Sequence, residues 1–193
     1  MASIKLPLAP LWASPFRPFC ALGMAYGIVL MALWVAAQWG TPAPAPEGLA
    51  PRLWHGHEMT FGFAGAIICA TVLTALPGWA RTPEIVGAPL AGLVALWLAG
   101  RIAFLAMAWL PAGIVIVADA GIYVALLALL APQLWRVADR HYLMLLPVFA
   151  GMLAGNVLFL AGDAETGLTT ALYSIVLLYA LKGGVFIPIF TGN

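Results

Sequence analysis

Six stretches of the chain run for about 20 residues with almost no charged side chain, at positions 19–39, 59–79, 88–109, 112–134, 142–161 and 168–190. A helix needs about 20 apolar residues to cross the hydrocarbon core of a bilayer. Within each run the apolar positions are continuous rather than alternating, which excludes the strands of a transmembrane barrel. Charges, prolines and glycines gather between the runs. The first gap holds Thr41-Pro-Ala-Pro-Ala-Pro-Glu47, whose prolines exclude helix and predict an extended linker. The other gaps, 80–87, 110–111, 135–141 and 162–167, are short. Short connections make consecutive helices antiparallel neighbours. The pattern predicts an all-α polytopic integral membrane protein, with six transmembrane helices in a single domain over 1–193.

Composition sharpens this reading. Hydrophobic residues make up 64% of the chain and charged residues 8%, where a soluble domain carries about 25% charged residues. The same numbers exclude intrinsic disorder. A net charge of +1 gives no footprint for nucleic acid. Two cysteines do not make a disulfide scaffold, and Cys20 and Cys69 differ in predicted depth by about 15 Å, beyond the reach of an S–S bond. The partner that remains is the lipid bilayer, and the eight Trp and five Tyr fit its interfacial belts.

Lys and Arg near the span ends set orientation. Lys5, Arg17, Arg81, Arg136 and Arg140 fall on one side of the six-span arrangement and Arg52 alone on the other. This bias predicts a cytoplasmic N-terminus and an outward-facing Pro-Ala linker, with residues 19–39 an uncleaved span rather than a signal peptide.

The densest polar cluster is Trp54-His55-Gly56-His57-Glu58-Met59, at the predicted outer mouth of the second span. In a regular helix His55 and His57 point about 200° apart. They share a metal only if the turn loosens at Gly56. Alternatively, His55 and Met59 are four residues apart and share one helical face. Imidazole suits copper or haem iron, and thioether suits Cu(I) or haem iron. Glu58 suits a ligand, a residue orienting a histidine, or a charge at a helix N-terminus. At a membrane interface the same residues also serve simply as solvated headgroup-level side chains. Gly62, Gly65, Ala66 and Cys69 below the cluster let another helix or a flat cofactor approach.

Three charges lie within spans: Arg101, Asp119 and Lys182. Such residues are costly in lipid and are paired or functional. Arg101 and Asp119 stand about nine residues either side of Leu110–Pro111, so both lie roughly 13 Å below that turn, at matching depth for an ion pair. Lys182 precedes Gly183-Gly184 and Pro188, a pattern that predicts an unwound or kinked segment, or a lysine that snorkels to the surface. These charges support an alternative reading as a channel or transporter. His141 beside Arg140 reads as solvated. Nucleophile–base pairs, phosphate loops and CxxC motifs are absent from the sequence, and it leaves open whether any catalysis occurs.

Several stretches in order resemble the NnrS family. Pro15-Phe16-Arg17-Pro18-Phe19 is similar to the family's PFRPFF start, with Cys20 at the next position. Residues 54–63 resemble its W-H-x-H-E-M-x-F-G-F. Thr74-Ala75-Leu76-Pro77-Gly78-Trp79 is similar to TAxPNWTG, and Leu96-Trp97-Leu98-Ala99-Gly100-Arg101 to LWxxGR. The last eleven residues resemble GGRVIPxFTRN, with Val185 and Gly192 at its two arginines. The resemblance implies a haem- and copper-containing protein of the bacterial cytoplasmic (inner) membrane, involved in the response to nitric oxide or protection from nitrosative stress. It implies cofactor binding at His55, His57 and Met59 and metal binding at His55, His57 and Glu58. It also implies that this chain corresponds to an N-terminal half, with a C-terminal half or an oligomeric partner completing it.

Overall fold

The computed structural model describes residues 10–191, with side chains as far as Gly184. Lys5 of the charge bias, the side chains of Val185 and Pro188, and the whole of Gly192 lie outside the described residues. Among the described residues there is no strand. Six helices are long and apolar enough to cross a membrane. They are α1 (Phe16–Gln38), α2 (Pro51–Ala80), α3 (Ala88–Leu105), α4 (Ala112–Arg136), the span Arg140–Leu160, whose α-helical part is α5 (Leu145–Leu160), and α6 (Ala164–Thr191). The chain is thus an all-α, multi-pass membrane protein. Its outward side chains suit lipid: Ile28, Ile102 and Val117 are each more than 60% exposed.

The helix ends follow from local chemistry. Pro51 opens α2 and Pro89 stands in the first turn of α3, where the missing N–H costs nothing. Arg81 closes α2 in the left-handed region at φ 53°. The Asp163 carboxylate accepts the amide of Thr166 at the start of α6. A 3₁₀ turn, Arg140–Met144, leads into α5.

Beyond shifts of a few residues at the helix ends, three features depart from the sequence pattern. α2 begins at Pro51, eight residues before the apolar run, so the polar cluster lies inside a 30-residue helix rather than at its mouth. α3 stops at Leu105, and 106–109 form a turn with Trp109 donating its amide to Ala106. α6 keeps a helical backbone through Gly183-Gly184 and Pro188, where the pattern predicts unwinding.

Contacts divide the chain into two compact units, 1–122 and 123–193. In the first, α1 packs on α2 through two glycines. A Cβ on Gly23 would lie 2.9 Å from that of Ala66, and one on Gly27 would lie 2.6 Å from the Phe63 ring. In the second, α5 and α6 pack backbone to backbone: a Cβ on Gly155 would lie 2.6 Å from the Gly167 carbonyl oxygen. Small residues allow this approach where lipid supplies no hydrophobic drive between helices. Cys20 and Cys69 are both free thiols.

Candidate functional site

The site is built on an irregularity in α2. Pro51–His57 and Gly65–Ala80 are α-helical, but Glu58–Ala64 between them is a π-helix. Such wide turns are rare and recur at functional sites. The wider turn brings Glu58, Phe61 and Gly62 all into the interior. Trp97 of α3 donates its indole N–H to the Gly62 carbonyl at 3.0 Å, a side-chain clasp on the irregular turn.

Four ionisable side chains from three helices close a ring around this turn. Arg101 of α3 donates from Nη1 to both oxygens of Glu58, at 3.0 and 3.1 Å. Its Nη2 donates to Oδ1 of Asp119 on α4. His57 spans the same two acids: Nδ1 lies 3.2 Å from Glu58 Oε1, and Nε2 lies 3.0 Å from Asp119 Oδ2. Tyr26 of α1 donates its hydroxyl to Glu58 Oε2. The His57 ring stacks on Phe104 with centroids 3.7 Å apart. His57 and Glu58 are 0% exposed, Asp119 1% and Arg101 4%.

Burial at this depth is tolerable only for charges that compensate one another. Arg101 offsets one carboxylate. His57 stands within hydrogen-bond reach of both carboxylates. The matching depth of Arg101 and Asp119 is legible from the tight α3–α4 turn. The part played by Glu58, Tyr26 and Phe104 is not, because each belongs to a segment distant in sequence.

Two glycines create the room. A Cβ on Gly100 would stand 2.8 Å from Asp119 Oδ1 and 3.0 Å from its Cα, so α3 and α4 meet at Gly100 and bring Arg101 beside Asp119. A Cβ on Gly62 would crowd the Tyr26 ring at 2.7 Å and Glu58 Oε2 at 3.0 Å. Gly62 belongs to the small-residue face read from the sequence. Gly100 gives no signal beyond its place before Arg101.

His55 has different surroundings. It stacks on Trp34 of α1, with centroids 4.4 Å apart and planes 16° from parallel. Trp54 tilts beside it at 6.2 Å. His55 Nδ1 is buried without a hydrogen-bond partner, and so is the Nε1 of Trp54, whose side chain is 1% exposed. The two histidines of the motif therefore do different things: His57 is held among acids and His55 among indoles. Met59 is half-buried. Among the described residues no three His, Cys, Asp or Glu side chains gather into a metal-holding group.

The remaining sequence candidates belong to the second unit. Lys182 is half-buried on α6, in the second unit. His141 is exposed and its Nδ1 lies 2.5 Å from the carboxylate of Asp139.

A family model described as NnrS protein matches residues 10–193. No curated protein and no solved structure matches the chain.

Proposed function

The chain belongs to the NnrS family, and from that premise we propose that it is a haem- or copper-binding protein of the bacterial cytoplasmic membrane that acts in the response to nitric oxide and in protection from nitrosative stress. When bound, such a metal offers an open position to a diatomic ligand in an apolar pocket. The N-terminus is cytoplasmic on this reading, which the Lys/Arg bias supports: among the described residues Arg17, Arg81, Arg136 and Arg140 fall on one side and Arg52 on the other.

One observation carries the assignment to this part of the molecule: the buried, partnerless Nδ1 of His55. A buried polar atom without a partner is costly, and coordination removes that cost. The donor set does not fit a metal equally. His55 fits, with Met59 four residues on as a second donor. His57 and Glu58 do not fit as arranged, because both nitrogens of His57 and both oxygens of Glu58 already face partners within the ring. They serve instead to hold the turn that carries His55.

The test is an absorption spectrum and metal analysis of purified protein, wild type against variants. His55→Ala should lose bound haem or copper, His141→Ala should keep it, and His57→Gln should keep part of it. Met59→Leu should alter the spectrum if the thioether is the second ligand. Colourless, metal-free wild-type protein that moves ions across liposomes would refute the reading in favour of a channel or transporter.

A further inference from the structure

The last span is the least suited to lipid and is hardly covered. α6 has the lowest mean hydropathy of the six spans, and no span has a smaller share of buried residues. α1 is equally bare, but it turns Ile28, Val29 and Met31 outward, which hydrocarbon solvates. α6 turns hydroxyls outward. Its inner side, Gly167, Ala171, Ser174 and Leu178, is buried, and a Cβ on Gly155 of α5 would lie 3.0 Å from that of Ala171. On the other side Thr166, Thr169, Tyr173, Val176 and Ala180 are all exposed. At about 100° per residue they fall within an arc of about 80°. Their spacing alternates three and four, the repeat by which two helices interlock along a seam.

Tyr173 stands nine residues into the 21-residue span Ala164–Gly184, about 13 Å from its start and near the middle of a core about 30 Å thick. The side chain is 69% exposed. A phenol hydroxyl costs free energy in hydrocarbon, which offers it no acceptor, so this face calls for protein. The chemistry of the face selects which protein. It is neutral: Glu165 stands in the first turn, at headgroup level, and Lys182 lies half a turn round the helix from Tyr173. Hydroxyls both donate and accept, so a face of Thr and Tyr can pair with an identical face, as a face of carboxylates or ammonium groups cannot. Chains of one sequence insert in one direction. A two-fold axis along the membrane normal then sets each residue of the face against its equivalent.

We propose that the exposed face of α6 is a homodimer seam, on which a second copy of this chain packs its own α6 in parallel. Val176 and Ala180 let the two helices approach, and the Tyr173 hydroxyl finds its hydrogen bond on the second copy. The seam requires no bound metal.

The experiment uses the full chain, purified, labelled with one dye per chain and reconstituted at high dilution into phosphatidylcholine–phosphatidylglycerol vesicles. Stepwise photobleaching counts the copies per vesicle. Wild type should bleach in two steps at dilutions where chance gives one. Tyr173→Phe should dimerise about three- to tenfold more weakly, and Ala180→Trp should bleach mostly in one step. In a Cys20→Ser/Cys69→Ser background, Val176→Cys and Ala180→Cys should each give a disulfide-linked dimer when oxidised with iodine. Ile28→Cys on the equally bare α1 should not. A single bleaching step for wild type overturns the proposal. So does cross-linking at position 28 as strong as at 176, or Tyr173→Phe dimerising as wild type does. The wild-type count needs no variant, so it decides alone if the variants fail to fold.

Discussion

Replacing Arg101 by leucine takes the guanidinium away from two carboxylates at once. The guanidinium is the link between Glu58 and Asp119, giving two hydrogen bonds to the first, at 3.0 and 3.1 Å, and one to the second. Breaking a buried ion pair by removing one partner costs about 3–5 kcal/mol, because an uncompensated charge stays behind. Asp119→Leu is milder. It leaves Arg101 paired with Glu58 through both oxygens and removes two contacts, one to Arg101 and one to His57, where Arg101→Leu removes three. The double variant Arg101→Leu/Asp119→Leu removes one stranded acid and leaves Glu58 with Tyr26 and His57. It should therefore be more stable than Arg101→Leu alone, although it carries the extra substitution. Adding Glu58→Gln should recover more. A pair isolated from other charges would be fully restored in the double variant, and the ring makes that restoration partial. Thermal unfolding in detergent reads these differences at about 2–4 °C per kcal/mol for a chain of this size. Arg101→Leu should fall by about 6–20 °C. Two results would refute the reasoning: Asp119→Leu as damaging as Arg101→Leu, or a double variant lower than Arg101→Leu by the full single cost of Asp119→Leu.

Gly100→Ala should destabilise by about 1–3 kcal/mol through overpacking against Asp119, whereas Gly92→Ala, which faces open space, should stabilise by about 0.5–1 kcal/mol; paired thermal melts compare them. Trp97→Phe removes the clasp on the Gly62 carbonyl and should cost about 1 kcal/mol while speeding amide exchange within 58–65, read by mass spectrometry. A reporter that fluoresces only in the cytoplasm should stay dark when fused after Glu47, and bright cells would overturn the proposed orientation.

What could be read from the sequence was set by locality. Six uninterrupted apolar runs are visible because a lipid-facing helix leaves its mark residue by residue. Arg101 and Asp119 could be matched because a two-residue turn makes depth a matter of counting. Where α2 begins could not be read that way. Hydropathy stops where charge appears, so it places His57 and Glu58 outside the span. Their cost is offset by Arg101, 43 residues further on, and such compensation leaves no local trace. Tyr26 and Trp34 were invisible for the same reason, since each looks like one more aromatic on an apolar helix. The π-helix has no composition signal at all: Glu-Met-Thr-Phe-Gly-Phe-Ala is compatible with an ordinary turn, and Trp97 clasps the wide one from another helix.

The π-helix makes residue count, rather than residue identity, the setting of the site. A wide turn accommodates more chain than an α turn of the same reach. Deleting one residue between 58 and 64 would let α2 close into uninterrupted α-helix. Everything from Pro51 to His57 would then swing by about 100° and be drawn in by about 1.5 Å. His57 would leave the face of Phe104, and His55 would slide off Trp34. No side chain of the ring need change for the ring to be dismantled. In evolutionary terms, a three-nucleotide deletion there acts as a rotation, and a compensating insertion within the same turn acts as its reversal.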